Sequence, residues 1–319
     1  MPDLLCMGEP MLELNRLPAG ADGRVLYLEG HGGDTSNAAI AAARQGASVG
    51  YVGAIGQDGP GESFLALWAR EGVDATTVIR RAAAPTGLYV VTHDEGGHHF
   101  TFYRTGSAAA RMTPAEVPEA AIRAARILHV SGISQAISDS ACDAVFRAIE
   151  VARAAGVAVS YDTNLRLRLW PARRAAAVIH AAIGMADIAL PSLDDATALT
   201  GLADPDAVAD FYLRLCPLVL LKCGAAGCLV ATRDGRTRIP PHAVEAVDAT
   251  GAGDTFAGAF LARRLAGDDP VAAARYANAA AALSTTGYGA VAPIPRAAAV
   301  RALLDRTPPG GGITGSRRA

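Results

Sequence analysis

From residue 127 onward the chain alternates short apolar segments with longer alanine-rich ones, and this alternation restricts the fold more than any other feature. The apolar segments are typical of buried strands and read ILHVS (127–131), VAVSYD (157–162), DIALP (187–191) and VLLK (219–222), with predicted helices over 142–154 and 175–183. Strands separated by helices favour an α/β fold with a doubly wound, mostly parallel sheet. Ligands bind such sheets at the carboxyl ends of the strands, where Asp162, Ser192 and Lys222 stand here.

The amino-terminal part begins in the same way, with a predicted strand over Leu4–Met7, a helix over 35–45 and a strand over 49–52. Residues 87–104 differ, because LYVV and FTFY are rich in β-formers and DEGG between them has turn chemistry. This pattern predicts a hairpin outside the main sheet. Since exposed strand edges pair readily with other chains, we expect a homo-oligomer formed through this hairpin.

Composition excludes several classes of protein. The chain has 319 residues, 51% of them hydrophobic, which is ample for a large core. Its 29 basic residues are dispersed and the net charge is −2, so nucleic acid is not an expected partner. Neither a signal peptide nor an apolar run of about 18 residues is apparent. The five cysteines form no C-x-x-C pair, and we therefore expect a reduced, cytoplasmic protein without a membrane segment.

The stretch VDATGAGDTFAG at 247–258 places two glycines and an alanine immediately before an aspartate that opens an apolar helix. Bare amides at a helix start suit an anion such as phosphate, because the unpaired N–H groups and the helix dipole both favour negative charge. An ordinary loop-to-helix turn, in which Asp254 complements the dipole, is the alternative. A Walker phosphate loop is excluded, since Lys222 is the single lysine and follows leucine.

Three glycine-rich stretches, GGDTSN at 32–37, GAAG at 224–227 and DATGAGDTF at 248–256, together resemble the signatures of the ribokinase-like (PfkB) sugar kinase family. The resemblance covers about residues 3–305. It implies an α/β, ribokinase-like doubly wound sheet flanked by helices, in one domain over 1–306. It also implies a small β lid formed from about 11–30 and 87–105. Residues 307–319, rich in Pro, Gly and Arg, are predicted to be a disordered tail.

The resemblance implies an ATP-dependent kinase in which Asp254 is the general base and the amides of Gly251, Ala252 and Gly253 form an anion hole. Phosphoryl transfer needs mainly positioning and charge stabilisation, which such a turn can supply. The implied nucleotide-binding residues are Lys222, Gly224, Gly227, Thr250 and Asn278. Mg²⁺ is the implied metal, although Ser192 and Asp195 replace the family's N-x-x-E element and could order it only through water. Asp248 and Thr250 match a loop that binds a monovalent cation in many relatives, so binding of K⁺ stays an open alternative.

The substrate side resembles the 2-keto-3-deoxygluconate kinase branch of the family. The implied sugar-binding residues are Gly32, Gly33, Asp34, Asn37, Tyr89, Tyr103, Arg104 and Arg166. An arginine can bind the carboxylate of a sugar acid bidentately, whereas a surface or structural ion pair is the alternative for either arginine. Tyr89 and Tyr103 share a face of the hairpin only if its register permits. Glu9 and Glu13 follow the first strand and could reach a sugar hydroxyl, but they are interpreted as exposed acids near a strand end and are not counted as site residues.

Other functions stay open at this point. A kinase of another sugar or a nucleoside, of fructokinase or ribokinase type, is the near alternative. A dinucleotide-dependent oxidoreductase also suits alternating strands and helices, but Gly8-Glu9-Pro10 stands where G-x-G-x-x-G would follow the first strand. A non-catalytic sugar-binding relative is disfavoured, because Asp254 and the complete glycine turn are retained. The expected partners are therefore a small sugar acid and ATP.

Overall fold

A computed structural model describes residues 1–18, 23–94 and 97–306. The predicted disordered tail, 307–319, lies outside the described residues. The strands are β1 Leu4–Met7, β2 Met11–Arg16, β3 Tyr27–Gly32, β4 Val49–Gly56, β5 Val73–Asp74, β6 Val78–Arg81, β7 Gly87–Asp94, β8 Gly97–Tyr103, β9 Ile127–Ser131, β10 Ala158–Asp162, β11 Ile188–Leu190, β12 Leu218–Lys222, β13 Cys228–Thr232 and β14 Gly235–Ile239. The helices are α1 Asp34–Arg44, α2 Gly59–Glu71, α3 Glu119–Ala124, α4 Gly132–Ala136, α5 Asp139–Ala154, α6 Ala172–Ile183, α7 Leu193–Thr200, α8 Pro205–Leu213, α9 Ala252–Leu265, α10 Pro270–Ser284 and α11 Ala297–Arg306.

Three of these helices begin with an aspartate cap and a proline in the first turn. The side chain of Asp58 accepts a hydrogen bond from the amide of Gly61 at the start of α2, at 2.8 Å. Asp204 and Asp269 cap α8 and α10 in the same way. The cap satisfies amides that have no partner inside the helix, and proline is already constrained to a helical φ. Local sequence therefore sets where these helices start.

The main sheet runs in the order β14-β13-β12-β11-β10-β9-β1-β4-β5, with β6 also paired to β4. All pairs from β12 to β5 are parallel, whereas β13 and β14 add an antiparallel edge. The chain proceeds from β1 to β4 in one direction and later from β9 to β12 in the other. The order therefore reverses beside β1, which is where a doubly wound sheet forms its binding crevice. The predicted mostly parallel fold is confirmed.

A second, smaller sheet has the order β3-β2-β7-β8 and contains the predicted hairpin as β7 and β8. Its register pairs Tyr89 with Phe102, and Leu88 with Tyr103. Because neighbouring residues of a strand point to opposite faces, Tyr103 lies on the face opposite to Tyr89 and is 61% exposed. The expectation that the two tyrosines share a face is wrong, since Phe102 occupies the position beside Tyr89.

The hydrophobic core covers both faces of the main sheet. Leu4 and Cys6 belong to the cluster packed against α1, α9 and α10, and Leu5 and Met7 to the cluster packed against α5 and α6. Strands buried on both faces consist of continuous apolar residues, as in LLCM. In the part of the chain that the structure describes, no helix is long and apolar enough to cross a membrane.

The helices α1 and α9 approach each other closely enough for their backbones to touch. A Cβ at Gly258 of α9 would overlap the carbonyl oxygen of Ala38 in α1, and it would lie 2.9 Å from the amide nitrogen of Ala42. Glycine therefore allows the two helix backbones to approach each other directly. This contact lies about one helical turn from Asp254, so it sets the distance between the starts of α1 and α9.

We predict that Gly258→Ala lowers the free energy of unfolding by about 1–3 kcal/mol, because overpacking a tight contact costs that much. Gly59→Ala is the matched control, since no atom lies within 4 Å of a Cβ at that helical position. Urea unfolding followed by circular dichroism measures both variants. Equal stability of the two would contradict the proposed role of the contact.

Candidate active site at the carboxyl edge of the main sheet

Asp254 lies in the first turn of α9, where two amide side chains from other elements hold its carboxylate. Asn37 of α1 donates from Nδ2 to Oδ2 of Asp254 at 2.8 Å, and Asn164 after β10 donates to Oδ1 at 3.4 Å. These amide donors are uncharged, so they orient the carboxylate without neutralising it. Asn164 was not among the predicted site residues, although its position directly after a parallel strand was a usable signal.

The pKa of Asp254 is raised to about 7. Burial is the main cause and the nearby charge of Asp34 adds to it, whereas the hydrogen bond from Asn37 and the charge of Lys222 act in the opposite direction. A carboxyl group with a pKa near 7 can accept a proton at neutral pH and bind it firmly enough to be useful in catalysis. Asp254 therefore has the acid–base property required of a general base.

Gly251 and Gly253 lack side chains for different reasons. Gly251 has a left-handed φ of 74°, and a Cβ there would lie 2.9 Å from the carbonyl oxygen of Ala290. At Gly253 the nearest contact of a Cβ would be Nζ of Lys222, at an ordinary 3.5 Å. The fold thus requires glycine at 251. At 253 it leaves open space beside a cation, which an anionic ligand can fill.

The amide of Ala252, predicted to contribute to the anion hole, donates to the carbonyl oxygen of Ala249 at 3.2 Å. It closes a turn in this structure. The following amides, of Gly253 and Asp254, belong to the first turn of α9, where no intrahelical acceptor exists. These two amides are the stronger candidates for contact with an anion.

Lys222 ends β12 beside the glycine turn. Its Nζ donates to Oδ2 of Asp162 at 2.6 Å, and 15% of the side chain is exposed. Asp162 at the end of β10 therefore fixes the ammonium group next to the start of α9. The lysine adds positive charge where the helix dipole already favours an anion.

The other predicted nucleotide-binding residues occupy the adjoining edge of the sheet. Gly224 begins the short 3-10 turn Gly224–Ala226 after β12, and Gly227 packs against the carbonyl oxygen of Ile239. Asn278 of α10 donates from Nδ2 to the carbonyl oxygen of Pro240 at 2.8 Å, and so holds the segment that follows β14. These contacts give Gly227 and Asn278 a structural role, and their role toward a nucleotide stays a prediction.

Asp248 organises the loop before the glycine turn. Its Oδ1 accepts hydrogen bonds from the amide and the hydroxyl of Thr250 at 2.9 and 2.6 Å, and its Oδ2 accepts one from the amide of Gly289 at 2.9 Å. These three hydrogen bonds tie the loop before the glycine turn to the segment after α10.

Ser192 and Asp195, predicted to order a metal through water, cap and anchor α7. The Ser192 hydroxyl accepts from the amide of Asp195 at 3.1 Å. Oδ2 of Asp195 accepts from the hydroxyl of Thr163 at 2.8 Å and from the amide of Leu165 at 3.1 Å. Among the residues described, no group of three or more His, Cys, Asp or Glu side chains could hold a metal ion by itself.

The start of α1 forms the other half of the site. Gly33 is its N-cap, and Asp34 in the first turn accepts a hydrogen bond from the hydroxyl of Ser131. Burial raises the pKa of Asp34. Gly32 lies against Tyr89, whose hydroxyl oxygen would be 2.6 Å from a Cβ at that position. The small sheet therefore closes over the beginning of α1.

Two acids interpreted from sequence as exposed are buried here, and that interpretation is wrong. The side chain of Glu9 is fully buried, forms an ion pair with Arg104 and accepts from the hydroxyl of Ser107 at 2.7 Å. Glu13 accepts from the hydroxyl of Tyr89 at 2.5 Å. Both acids are held by residues distant in the chain, Arg104 and Ser107 for Glu9 and Tyr89 for Glu13, an arrangement that local sequence does not encode.

Arg104 and Arg166 differ in the charge they offer to a ligand. The guanidinium of Arg104 is paired with Glu9, and it stands 5.9 Å from the ring centre of Phe102. Arg166 is exposed, donates from Nη1 to the carbonyl oxygen of Leu165 at 2.8 Å, and is close enough to Asp34 to affect its pKa. Arg166 is therefore the more available cation.

Three buried polar atoms at the site have no hydrogen-bond partner within the described ranges: Oδ1 of Asp34, Oδ1 of Asn37 and Nε of Arg104. Leaving such an atom unsatisfied costs about 1–3 kcal/mol. A ligand that carries both hydroxyl donors and oxygen acceptors can satisfy all three. Their chemistry therefore fits a sugar.

A cleft of about 890 Å³ lies between the small sheet, the loop before α9 and the loop after α10. Glu13, Val91 and Phe100 line it from the small sheet, and Asp248 and Thr250 from the loop that leads to Asp254. Its volume is in the range of small-molecule sites, about 300–1,000 Å³.

Residues 1–297 match the family described as pfkB family carbohydrate kinase. The chain belongs to this family. It is 36% identical over 292 residues to fructokinase-1 of Oryza sativa subsp. japonica, covering 88% of this chain and 90% of the relative. It is 35% identical over 307 residues to 2-dehydro-3-deoxygluconokinase of Thermoproteus tenax, covering 93% of each.

Among solved structures, a putative ribokinase II from E. coli in complex with ATP and Mg²⁺ matches with a TM-score of 0.88 and 26% identity, over 96% of this chain and 100% of that one. This PfkB chain is therefore an ATP-binding carbohydrate kinase with the ribokinase-like fold. The rice and Thermoproteus tenax relatives are named for different sugars at nearly the same identity, so the family assignment leaves the substrate open.

We predict that Gly253→Val folds with nearly wild-type stability but loses turnover by about a hundredfold, because the side chain would fill the space next to the first-turn amides. Gly251→Val is the comparison, and it should lose stability, since the backbone there is left-handed and faces Ala290. Urea unfolding and initial-rate kinetics separate the two effects. If Gly253→Val fails to fold, the glycine is structural and the ligand interpretation is wrong.

Proposed function

We propose that this kinase transfers the γ-phosphoryl group of ATP to the terminal hydroxyl of 2-keto-3-deoxygluconate, forming the 6-phosphate. The observation that carries the chemistry is Asp254, whose pKa is raised to about 7 beside the open position at Gly253 and the ammonium group of Lys222. A base, a space for phosphate and a fixed positive charge thus lie next to one another. Phosphoryl transfer needs these three elements close together.

In the proposed mechanism Asp254 accepts the proton of the attacking sugar hydroxyl, and Asn37 and Asn164 hold its carboxylate in position. The γ-phosphate rests on the start of α9, where the first-turn amides and Lys222 stabilise its charge. Bound Mg²⁺ would neutralise charge on the phosphates, and Ser192 and Asp195 would order its water ligands. A monovalent cation such as K⁺ would use backbone carbonyls near Asp248 and Thr250.

The proposal of a sugar acid depends on Arg166. It is exposed, it lies near Asp34, and its guanidinium can bind a carboxylate bidentately. Asp34, Asn37 and Arg104 retain buried atoms suited to the hydroxyl and keto oxygens of the same ligand. Holding the acid end of a six-carbon chain would present its far hydroxyl to Asp254, so remote binding energy would contribute to orientation.

Fructose is the second candidate, and a specific contact favours it. Glu9 neutralises Arg104, so the pair provides hydrogen bonds without a net charge and suits a neutral sugar. Phe102, rather than a tyrosine, also lies beside Tyr89. The 36% identity to the rice fructokinase supports the same alternative.

We further propose a homo-oligomer formed through the small sheet in the cytoplasm. Leu28, Phe100 and Phe102 lie on the face of this sheet that carries Tyr89, and they are 59%, 39% and 44% exposed. Another copy of the chain could cover this apolar surface. All five cysteines are unpaired thiols, which supports a reducing compartment.

Asp254→Asn is expected to keep ATP and sugar binding while turnover falls by at least about a hundredfold, as for loss of a general base. In the wild-type enzyme kcat/KM should rise with pH to a plateau above about 7, because only the ionised carboxylate accepts the proton. ATP binding measured over the same pH range separates ionisation of the nucleotide from that of Asp254.

Asp268→Asn, at the opposite end of α9, is the matched control and should retain both the rate and the pH profile. Near-normal turnover of Asp254→Asn would remove Asp254 from the role of base.

Arg166→Ala should lower kcat/KM for 2-keto-3-deoxygluconate by about ten- to a hundredfold, because a charge-assisted hydrogen bond contributes about 1.5–3 kcal/mol. Activity on fructose should be nearly unchanged, since fructose has no carboxylate. Paired kinetics on the two sugars measure the difference. Equal losses on both would assign Arg166 to ATP binding or to the fold, and a wild-type preference for fructose would make fructose the substrate.

A further inference from the structure

Arg44 lies at the end of α1 that is distant from Asn37, and its guanidinium joins three parts of the chain. It forms a two-bond ion pair with Glu71 at the end of α2, with both distances at 3.0 Å. Nη1 also donates to the carbonyl oxygens of Val291 and Ile294, at 3.0 and 2.6 Å. The side chains of Arg44 and Glu71 are 11% and 5% exposed, so a largely buried cation here binds backbone of the segment after α10.

That segment, residues 285–295, is also hydrogen-bonded to the loop that leads into the glycine turn. The carbonyl oxygen of Thr285 accepts hydrogen bonds from the amides of Val247 and Asp248, at 2.7 and 3.0 Å. Further along, the amide of Gly289 donates to the carboxylate of Asp248 at 2.9 Å.

The next residue of the segment, Ala290, reaches the turn itself. Its carbonyl oxygen would lie 2.9 Å from a Cβ at Gly251, which is the N-cap of α9. Ala290 directly precedes Val291, whose carbonyl oxygen binds Arg44. The backbone held by Arg44 and the backbone that packs on the glycine turn therefore belong to adjacent residues.

The planar guanidinium of Arg44 suits these acceptors better than an ammonium group would. It makes two parallel hydrogen bonds to Glu71 with Nε and Nη2, and it directs Nη1 to the carbonyl oxygens of the segment. Gln45 adds a neutral bond, from Nε2 to the carbonyl oxygen of Pro295 at 2.8 Å. Arg44 thus supplies the charged anchor of the segment and Gln45 a weaker one.

We propose that Arg44 is a positioning residue for phosphoryl transfer: through residues 285–295 it holds Gly251 and the start of α9 in the geometry that receives the phosphate. Arg44 is not in contact with the sugar site, because it lies at the other end of α1 from Asp34 and Asn37. Its loss should therefore affect turnover and the binding of ATP, and leave the binding of sugar unchanged. This inference rests on the proposed role of the glycine turn.

The test compares Arg44→Ala with the wild-type enzyme, using whichever sugar the wild type phosphorylates faster. We expect kcat to fall by about ten- to a hundredfold, because small displacements of a catalytic group are costly. KM for the sugar should stay within about twofold. Millimolar methylguanidinium should restore part of the lost rate by occupying the vacated position, whereas the same concentration of tetramethylammonium should not.

Arg263→Ala is the matched control. Arg263 forms a two-bond ion pair with Asp268 at the far end of α9 and stacks on Tyr276, but its partners lie outside 285–295. It should lose comparable stability in urea while keeping kcat, and methylguanidinium should not change its rate. If both variants lose the same fraction of activity, or if Arg44→Ala keeps wild-type kcat, the inference is overturned.

Arg44→Lys keeps the charge without the planar fork and serves if the alanine variant does not fold. It should show a reduced kcat with an unchanged sugar KM, and a wild-type kcat would contradict the inference. If the glycine turn does not receive the phosphate, Gly253→Val will retain turnover. If instead Gly253→Val is inactive and Arg44→Lys keeps normal turnover, the role of the glycine turn stands and the role of Arg44 is wrong.

Discussion

At Gly258 the backbone of α9 passes so close to Ala38 of α1 that no side chain fits between the two helices. This contact brings together the starts of two helices that are more than two hundred residues apart in the chain. Asn37 and Asp254 can form a 2.8 Å hydrogen bond only because the helices are that close. The positions of Asp254 and Asn37 therefore both depend on one place where backbone meets backbone.

The acids of the candidate site differ in the partners that hold them. Glu9 forms an ion pair with Arg104, and Asp162 forms one with Lys222. Asp254 is held by neutral amides instead, and burial raises its pKa to about 7. Because burial is not offset by a salt bridge from any of the described residues, Asp254 can take up a proton at neutral pH.

Local signals in the sequence were sufficient for the fold, and the family resemblance pointed to the glycine turn and Asp254 as the centre of the candidate site. Alternating apolar strands and helices predicted the doubly wound sheet, and the β-rich 88–103 region predicted the hairpin. The same signals could not predict which residues of the hairpin share a face with Tyr89, because the register depends on how the whole small sheet is paired. Burial of Glu9 and Glu13 was missed for a related reason, since their hydrogen-bond partners Ser107 and Tyr89 come 98 and 76 residues later in the chain.

The sequence by itself determined that a glycine turn with an aspartate begins α9 and that a parallel sheet carries it, because turn chemistry and hydrophobic periodicity act over a few residues. The tertiary structure decided which glycine serves the fold and which leaves room for a ligand. Gly251 packs against Ala290, whereas Gly253 faces Lys222 across open space. It also decided that Arg104 is neutralised while Arg166 is available. Such differences depend on groups that are distant in the chain and meet only after folding, so no local pattern encodes them.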